Sequence, residues 1–150
     1  MTARGRRTLA PPRWSAAYAG VVAGIVVVIA AFLPWYATNL GEPFSPASVS
    51  GWDSTNFARA AVIAGAVAAV AAGALALEER GSLVLEPQTA ETLAWVVVGA
   101  FAVALALVGY RLLFMPEPAE LLSRQIGIYL ATASAVLGVL SGLGLLATRR

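Results

Sequence analysis

The fold of this chain is indicated by residues 93–114, LAWVVVGAFAVALALVGYRLLF, in which Arg111 is the one charged side chain. A helix needs about 20 apolar residues to cross a hydrocarbon core about 30 Å thick, because each residue adds about 1.5 Å. Three further apolar stretches reach or approach that length, at 16–33, 57–77 and 126–147. We therefore predict an all-α fold, an antiparallel four-helix transmembrane bundle.

The composition of the whole chain agrees with a membrane protein. Of its 150 residues, 59% are hydrophobic and 12% are charged, whereas soluble domains carry about 25% charged residues. Because this length leaves room for one bundle, we predict a single integral membrane domain over residues 1–150. Its predicted parts are a basic cytoplasmic tail (1–13), spans at about 14–36, 56–77, 91–114 and 124–147, and an outer loop at about 37–54.

The distribution of arginine predicts the orientation, since all ten basic residues are Arg. Basic residues that flank membrane spans remain in the cytoplasm. With the N-terminus inside, seven arginines lie on the cytoplasmic side: Arg4, Arg6, Arg7, Arg13, Arg80, Arg149 and Arg150. Three lie outside, so we predict a multi-pass protein of the plasma membrane with both termini cytoplasmic.

The first apolar stretch has two interpretations, an intact span or a cleaved signal peptide. It is long and ends in Leu33-Pro34-Trp35-Tyr36, without a small-x-small cleavage site. These features favour an intact span. Four aromatic side chains near predicted span ends are expected to anchor the protein at the membrane interface. They are Trp14, Trp35, Tyr36 and Trp52.

The chain contains neither Cys nor His, which excludes several classes of function. Zinc sites of Cys and His, haem ligation by either residue, and histidine general-base catalysis are all impossible. The carboxylate pairs Glu78/Glu79 and Glu117/Glu120 have no converging partner in the sequence. We expect no enzymatic activity, no cofactor and no metal site, and the net charge of +2 predicts no nucleic-acid partner.

Three arginines form the candidate binding site. Arg59, Arg111 and Arg124 each fall at the outer end of a predicted span. One interpretation is that their charges reach the headgroup region and pair with Asp53, Glu117 and Glu120. The other is that they form a cationic cluster that binds an anionic lipid or another anion.

Two rows of small residues are candidate helix-packing surfaces, because small side chains let helices approach closely in lipid. The first row lies in the second span, at Ala61, Gly65, Ala69 and Gly73. The second lies in the fourth span, at Ser134, Gly138 and Gly142. Each row either packs within the bundle or docks a partner or a second copy.

Three short motifs carry a resemblance to a known group of proteins. They are Phe32-Leu33-Pro34-Trp35-Tyr36, Ser50-Gly51-Trp52 and Gly127-Ile128-Tyr129-Leu130-Ala131. With them, residues 14–145 resemble uncharacterised small four-helix membrane proteins of high-GC Gram-positive, actinobacterial type. The resemblance implies the fold and topology and no established activity.

We expect a non-enzymatic integral membrane protein, an accessory or scaffold subunit acting through its helix surfaces and outer loop. Its expected partners are the lipid bilayer and either another membrane protein or further copies of itself. The alternative is a small transporter or anionic-lipid-binding protein that uses Arg59, Arg111 and Arg124. A wet polar cavity lined by these arginines would favour the alternative, and a dry, filled interior would favour the first.

Overall fold

The computed structural model describes residues 15–38, 47–117 and 119–149. The tail 1–13, the predicted anchor Trp14 and the middle of the outer loop lie outside these residues. Four long helices dominate: α1 (Ala16–Phe32), α3 (Asn56–Glu79), α4 (Pro87–Leu113) and α5 (Ile126–Ala147). Among the described residues, α3, α4 and α5 are long and apolar enough to cross a membrane. Helix α1 is apolar but has 17 residues, about 26 Å at the usual rise.

Local sequence signals begin and end these helices. Ser15 caps α1 by accepting a hydrogen bond from the Tyr18 amide, and Thr55 caps α3 in the same way through the Phe57 amide. Pro87 occupies the first turn of α4, where its missing N–H costs nothing. Helix α4 therefore begins four residues before its predicted start. Gly81 follows α3 with a φ of 73°, a backbone conformation that glycine adopts without strain.

The fold is helical, as predicted, and the chain also forms a small three-stranded antiparallel sheet that was not predicted. Its strands are β1 (Pro34–Thr38), β2 (Ser48–Ser50) and β3 (Leu122–Arg124), in the order β2-β1-β3. A four-residue helix, α2 (Gly51–Ser54), follows β2, and a 3₁₀ turn (Ala119–Leu121) precedes β3.

Pro34 explains why the chain leaves the helix and forms a strand. Proline cannot continue the hydrogen-bond ladder of a helix, so α1 ends at Phe32 and the chain extends. The backbone groups of β1 are then satisfied laterally by both neighbouring strands. Tyr36 lies opposite Val49 of β2 and Arg124 of β3. The predicted first span and outer loop are shortened accordingly.

The four long helices pack in a ring, in which α1 and α4 each contact both α3 and α5. Contacts near Gly20 and Gly24 of α1 involve Ala72 and Ala69 of α3 respectively, so these two helices run in opposite directions. The sheet marks one end of the ring, which we call the sheet end. At the opposite end, the termini end, Arg149 near the C-terminus forms an ion pair with Glu78 at the end of α3.

Most interior positions of α3 and α5 hold small side chains, and most large aliphatic side chains of the described residues face outward. In α3 the buried positions include Ala61, Ala68 and Ala72, whereas Ile63 and Val70 are exposed. The same holds for α5, where Gly138 is buried while Leu137 and Leu140 are exposed. A surface of large apolar side chains is favourable in lipid and costly in water. This distribution is compatible with an integral membrane protein.

Candidate functional site at the sheet end

Trp35 is the centre of the sheet end. Its indole is fully buried, and its Nε1 donates a 2.8 Å hydrogen bond to the carbonyl oxygen of Ala30. Two glycines leave room for the ring. A Cβ on Gly51 would lie 2.4 Å from an indole carbon, and one on Gly127 would lie 2.7 Å from another. Any larger residue at either glycine would have to displace the indole.

The three motifs that carry the resemblance therefore meet in space. Trp35 belongs to the first motif, Gly51 to the second and Gly127 to the third. Backbone hydrogen bonds join the same segments: the Gln125 amide donates to the Trp35 carbonyl at 2.8 Å, and the Gly51 amide donates to the Leu33 carbonyl at 3.4 Å. Trp35, Gly51 and Gly127 of the three motifs thus pack against one another at the sheet end.

Two of the four predicted interface anchors lie inside the protein. Trp35 is covered by the two glycines, and Tyr36 is also buried, with its hydroxyl donating to the Arg111 carbonyl at 3.0 Å. Neither ring is available to lipid headgroups, because both side chains are almost completely covered by protein. Trp52 is half-buried and stacks on Phe32, with ring centroids 5.3 Å apart.

Tyr36 brings two of the candidate arginines together. Burial raises the pKa of its phenol, and the positive charges of Arg111 and Arg124 oppose that rise. Both guanidinium groups thus act on one buried side chain in β1. Arg124 lies opposite Tyr36 in the sheet, and its Nη2 reaches the Leu113 carbonyl at 3.5 Å.

One hydrogen-bond donor of Arg111 has no partner among the described residues. Arg111 is half-buried, its guanidinium lies 5.6 Å from the centre of the Phe57 ring, and a cation over an aromatic face is attracted to it. Its Nε is buried and, among the described residues, has no hydrogen-bond partner. A buried donor without a partner is rare in folded proteins.

Arg59 has different partners. Its Nε donates to the Trp52 carbonyl at 3.0 Å, its Nη1 donates to Asn56 Oδ1 at 3.4 Å, and its guanidinium lies 5.6 Å from the centre of the Trp52 ring. From the sequence, the three arginines were predicted to have equivalent positions at the outer ends of their spans. The structure places all three at the sheet end but holds Arg59 on Trp52, apart from the Tyr36 contacts of the other two.

The carboxylates expected beside these arginines have other positions. Asp53 accepts a 2.8 Å hydrogen bond from the Ser50 hydroxyl. Within residues 15–38, 47–117 and 119–149, the one ion pair is that of Arg149 with Glu78, at the opposite end. No group of three metal-binding side chains is found in the same residues. The arginines of the sheet end thus carry positive charge without a carboxylate partner in the described part of the chain.

Both predicted packing rows lie largely at helix contacts. A Cβ on Gly65 would come within 2.9 Å of Val27 of α1, and Ala69 lies against Gly24. Ala61 of this row is buried, and Gly73 is half-buried. In α5, a Cβ on Gly138 would meet the Phe101 ring at 2.3 Å, and one on Gly142 would meet Val98 at 2.6 Å.

Sequence reasoning missed several residues of these contacts. Gly20 and Gly24 of α1 form a glycine pair at a spacing of four, the signal already used for α5. Ser134 of the second row is buried beside a groove between α1 and α5. Ser141 lies seven residues after Ser134. Its hydroxyl donates a hydrogen bond to the Ala16 carbonyl and so links α5 to α1. No local signal distinguishes Ser141 from a serine that bonds within its own helix.

The chain matches no protein-family model and no curated protein sequence.

Proposed function

We propose that this protein is a multi-pass protein of the plasma membrane, an antiparallel four-helix transmembrane bundle with both termini in the cytoplasm. The outward-facing large aliphatic side chains support membrane insertion. The termini end carries the first residue of α1, the connection between α3 and α4, and the end of α5. In the sequence, seven of the ten arginines fall before α1, between α3 and α4, or after α5, and the positive-inside rule then assigns that end to the cytoplasm.

We infer that its role is structural, that of a non-enzymatic accessory or scaffold subunit. One observation carries this inference, the apolar and filled interior. No charged residue is buried in the part of the chain that the structure describes, and Ser134 and Ser141 are its buried polar residues apart from Trp35 and Tyr36. Ionisable groups inside membrane proteins mark ion and substrate pathways, and this interior offers none.

The sheet end is the surface we assign to protein contacts. Among the described residues, strand β2 pairs with β1 along one edge only, and its Val49 is exposed. An unpaired strand edge accepts hydrogen bonds from another extended segment. Trp35 packs closely against Gly51 and Gly127 beside this edge, so we expect a partner to meet a preformed surface. Another membrane protein and a second copy of this chain are both compatible with it.

Photo-crosslinking in native membranes tests this role. A photoreactive residue replaces Val49 at the β2 edge, and the control carries it at Val84, an exposed position of the connection between α3 and α4. We expect a discrete crosslinked protein from Val49 and a weaker or different pattern from Val84. In parallel, vesicles containing the pure protein should be no more permeable to protons and anions than empty vesicles. Flux that depends on the protein would contradict a purely structural role.

A second candidate function is the binding of an anionic lipid headgroup at the sheet end. Within the described residues, the Nε of Arg111 has no hydrogen-bond partner and neither Arg111 nor Arg124 pairs with a carboxylate, which favours this function. A triple variant, Arg59→Gln, Arg111→Gln and Arg124→Gln, should keep its fold and lose co-purifying anionic lipid. Glutamine keeps polarity while removing charge, so retention of that lipid by the folded variant would argue against the site.

A further inference from the structure

A groove between α1 and α3 opens on the surface at the termini end. It holds about 520 Å³, within the range of about 300–1,000 Å³ that is typical of small-molecule sites. Its walls include Val21 of α1 with Val70 and Leu77 of α3, and Arg80 stands at its end. Almost all of its lining surface is apolar.

Gly73 forms the open part of the groove. A Cβ at this position would meet only Val21, at 3.9 Å, an ordinary contact distance. This differs from Gly65, two turns earlier in α3, where a Cβ would collide with Val27. The two helices touch at Gly65 and at Ala72, and an open furrow runs beside Gly73.

The groove ends in a positive charge. Arg80 follows the last residue of α3, and its guanidinium lies 4.9 Å from the centre of the Tyr18 ring. Tyr18 also lines the groove. Arg80 has no carboxylate partner among the described residues. An apolar furrow capped by a cation matches a lipid with an apolar tail and an anionic head.

We propose that this groove binds an anionic diacyl phospholipid of the leaflet at the termini end. One acyl chain lies in the furrow over Gly73, and the phosphate forms an ion pair with Arg80, which the Tyr18 ring holds in place. The proposal rests on membrane insertion of the protein. It does not depend on the scaffold role, on the orientation, or on the arginines of the sheet end.

Lipid retention by the full-length protein tests this site. The protein, purified in mild detergent, is mixed with dioleoylphosphatidylglycerol or dioleoylphosphatidylcholine, and bound lipid is counted by native mass spectrometry. Wild type should retain phosphatidylglycerol in preference. Gly73→Leu fills the furrow and should abolish retention of both lipids. Gly99→Leu is the matched control, because Gly99 of α4 has open space around it.

The charge is tested with a second pair of variants. Arg80→Gln should lower the retention of phosphatidylglycerol about fivefold, the usual effect of one basic residue near anionic lipid, and Arg80→Lys should restore part of it. Arg149→Gln makes the same charge change at the same end and should have little effect. Equal preference in Arg80→Gln and Arg149→Gln would overturn the proposal.

Two further outcomes would also overturn it: equal retention by Gly73→Leu and Gly99→Leu, or no preference of the wild type between the two lipids. If Gly73→Leu does not fold, Gly73→Ala and the arginine variants decide the result. Resistance to alkaline extraction from membranes, measured separately, distinguishes failure of this site from failure of membrane insertion.

Discussion

The residue on which the sheet end depends is Trp35. It is the largest fully buried side chain, and three separate segments enclose it. Burying an indole stabilises a fold by several kcal/mol. Burial of the indole requires space, so Gly51 and Gly127 must remain without side chains. This packing predicts how single substitutions change the stability of the protein.

Gly127→Ala should destabilise the protein by about 1–3 kcal/mol, the usual cost of overpacking. Its Cβ would lie 2.7 Å from both the Pro34 carbonyl oxygen and an indole carbon, and backbone cannot give way easily. Gly109→Ala in α4 is the matched control, since nothing lies within 4 Å of its Cβ position. Thermal unfolding in detergent measures both. Equal melting temperatures for the two variants would contradict the predicted packing.

Trp35→Ala should cost about 3–5 kcal/mol, because it leaves a large cavity. Trp95→Ala provides the comparison: Trp95 is 49% exposed on α4, so its loss should change the free energy of unfolding by about 0.5 kcal/mol or less. Denaturation followed by circular dichroism compares them. A similar loss in both variants would mean that Trp35 acts only as a surface anchor.

At the scale of elements, the contact between α4 and α5 shows how glycine sets helix spacing. Phe101 of α4 is fully buried, and its ring occupies the space beside Gly138. Packing of this kind is the main source of helix association in lipid, where burial from water contributes little. The contact lies within one chain, so it concerns stability and not oligomer formation.

Gly138→Leu should therefore lower the melting temperature strongly while leaving the oligomeric size of the folded fraction unchanged. Adding Phe101→Ala should recover part of the loss, because the new side chain then occupies the space of the ring. Differential scanning fluorimetry and size-exclusion chromatography with light scattering provide the two readouts. If Phe101→Ala gave no recovery, or if only the oligomer changed, the α5 row would face a partner instead.

At the scale of the whole molecule, the ring of helices has two chemically different ends. The sheet end is covered by short strands and carries Arg59, Arg111 and Arg124, whereas Arg80 and Arg149 lie at the termini end. A single ion pair, Arg149 with Glu78, links the last residues of the described chain to α3. Because such partly exposed pairs contribute about 1 kcal/mol or less, helix packing and not this pair holds the termini end together.

Reporter fusions test the proposed topology. A fusion at residue 150 should be active in the cytoplasm, and one inserted between residues 37 and 54 should be active outside, since the N-terminal arginines resist translocation. Replacing Arg4, Arg6, Arg7 and Arg13 with Gln should weaken this bias. A C-terminal reporter active outside the cell in the wild type would contradict the orientation and the leaflet assignments that follow from it.

The sequence by itself determined the membrane class and the approximate position of each long helix. Apolar length is read directly from the residues, since crossing a bilayer is a requirement on each segment separately. The small-residue rows of α3 and α5 were also visible, because a spacing of four residues defines one helix face. The features identified in this way depend on local, periodic patterns in the sequence.

The tertiary structure alone decided the sheet and the role of Trp35. An aromatic residue after Pro34 is typical of an interfacial anchor, and no local pattern reveals that β1 pairs with β3, more than 80 residues later. Strand pairing is set by partners that are distant in sequence. Whether Trp35, Tyr36 and the arginines around them face lipid or protein was therefore decided by which segments the four helices bring to the same end.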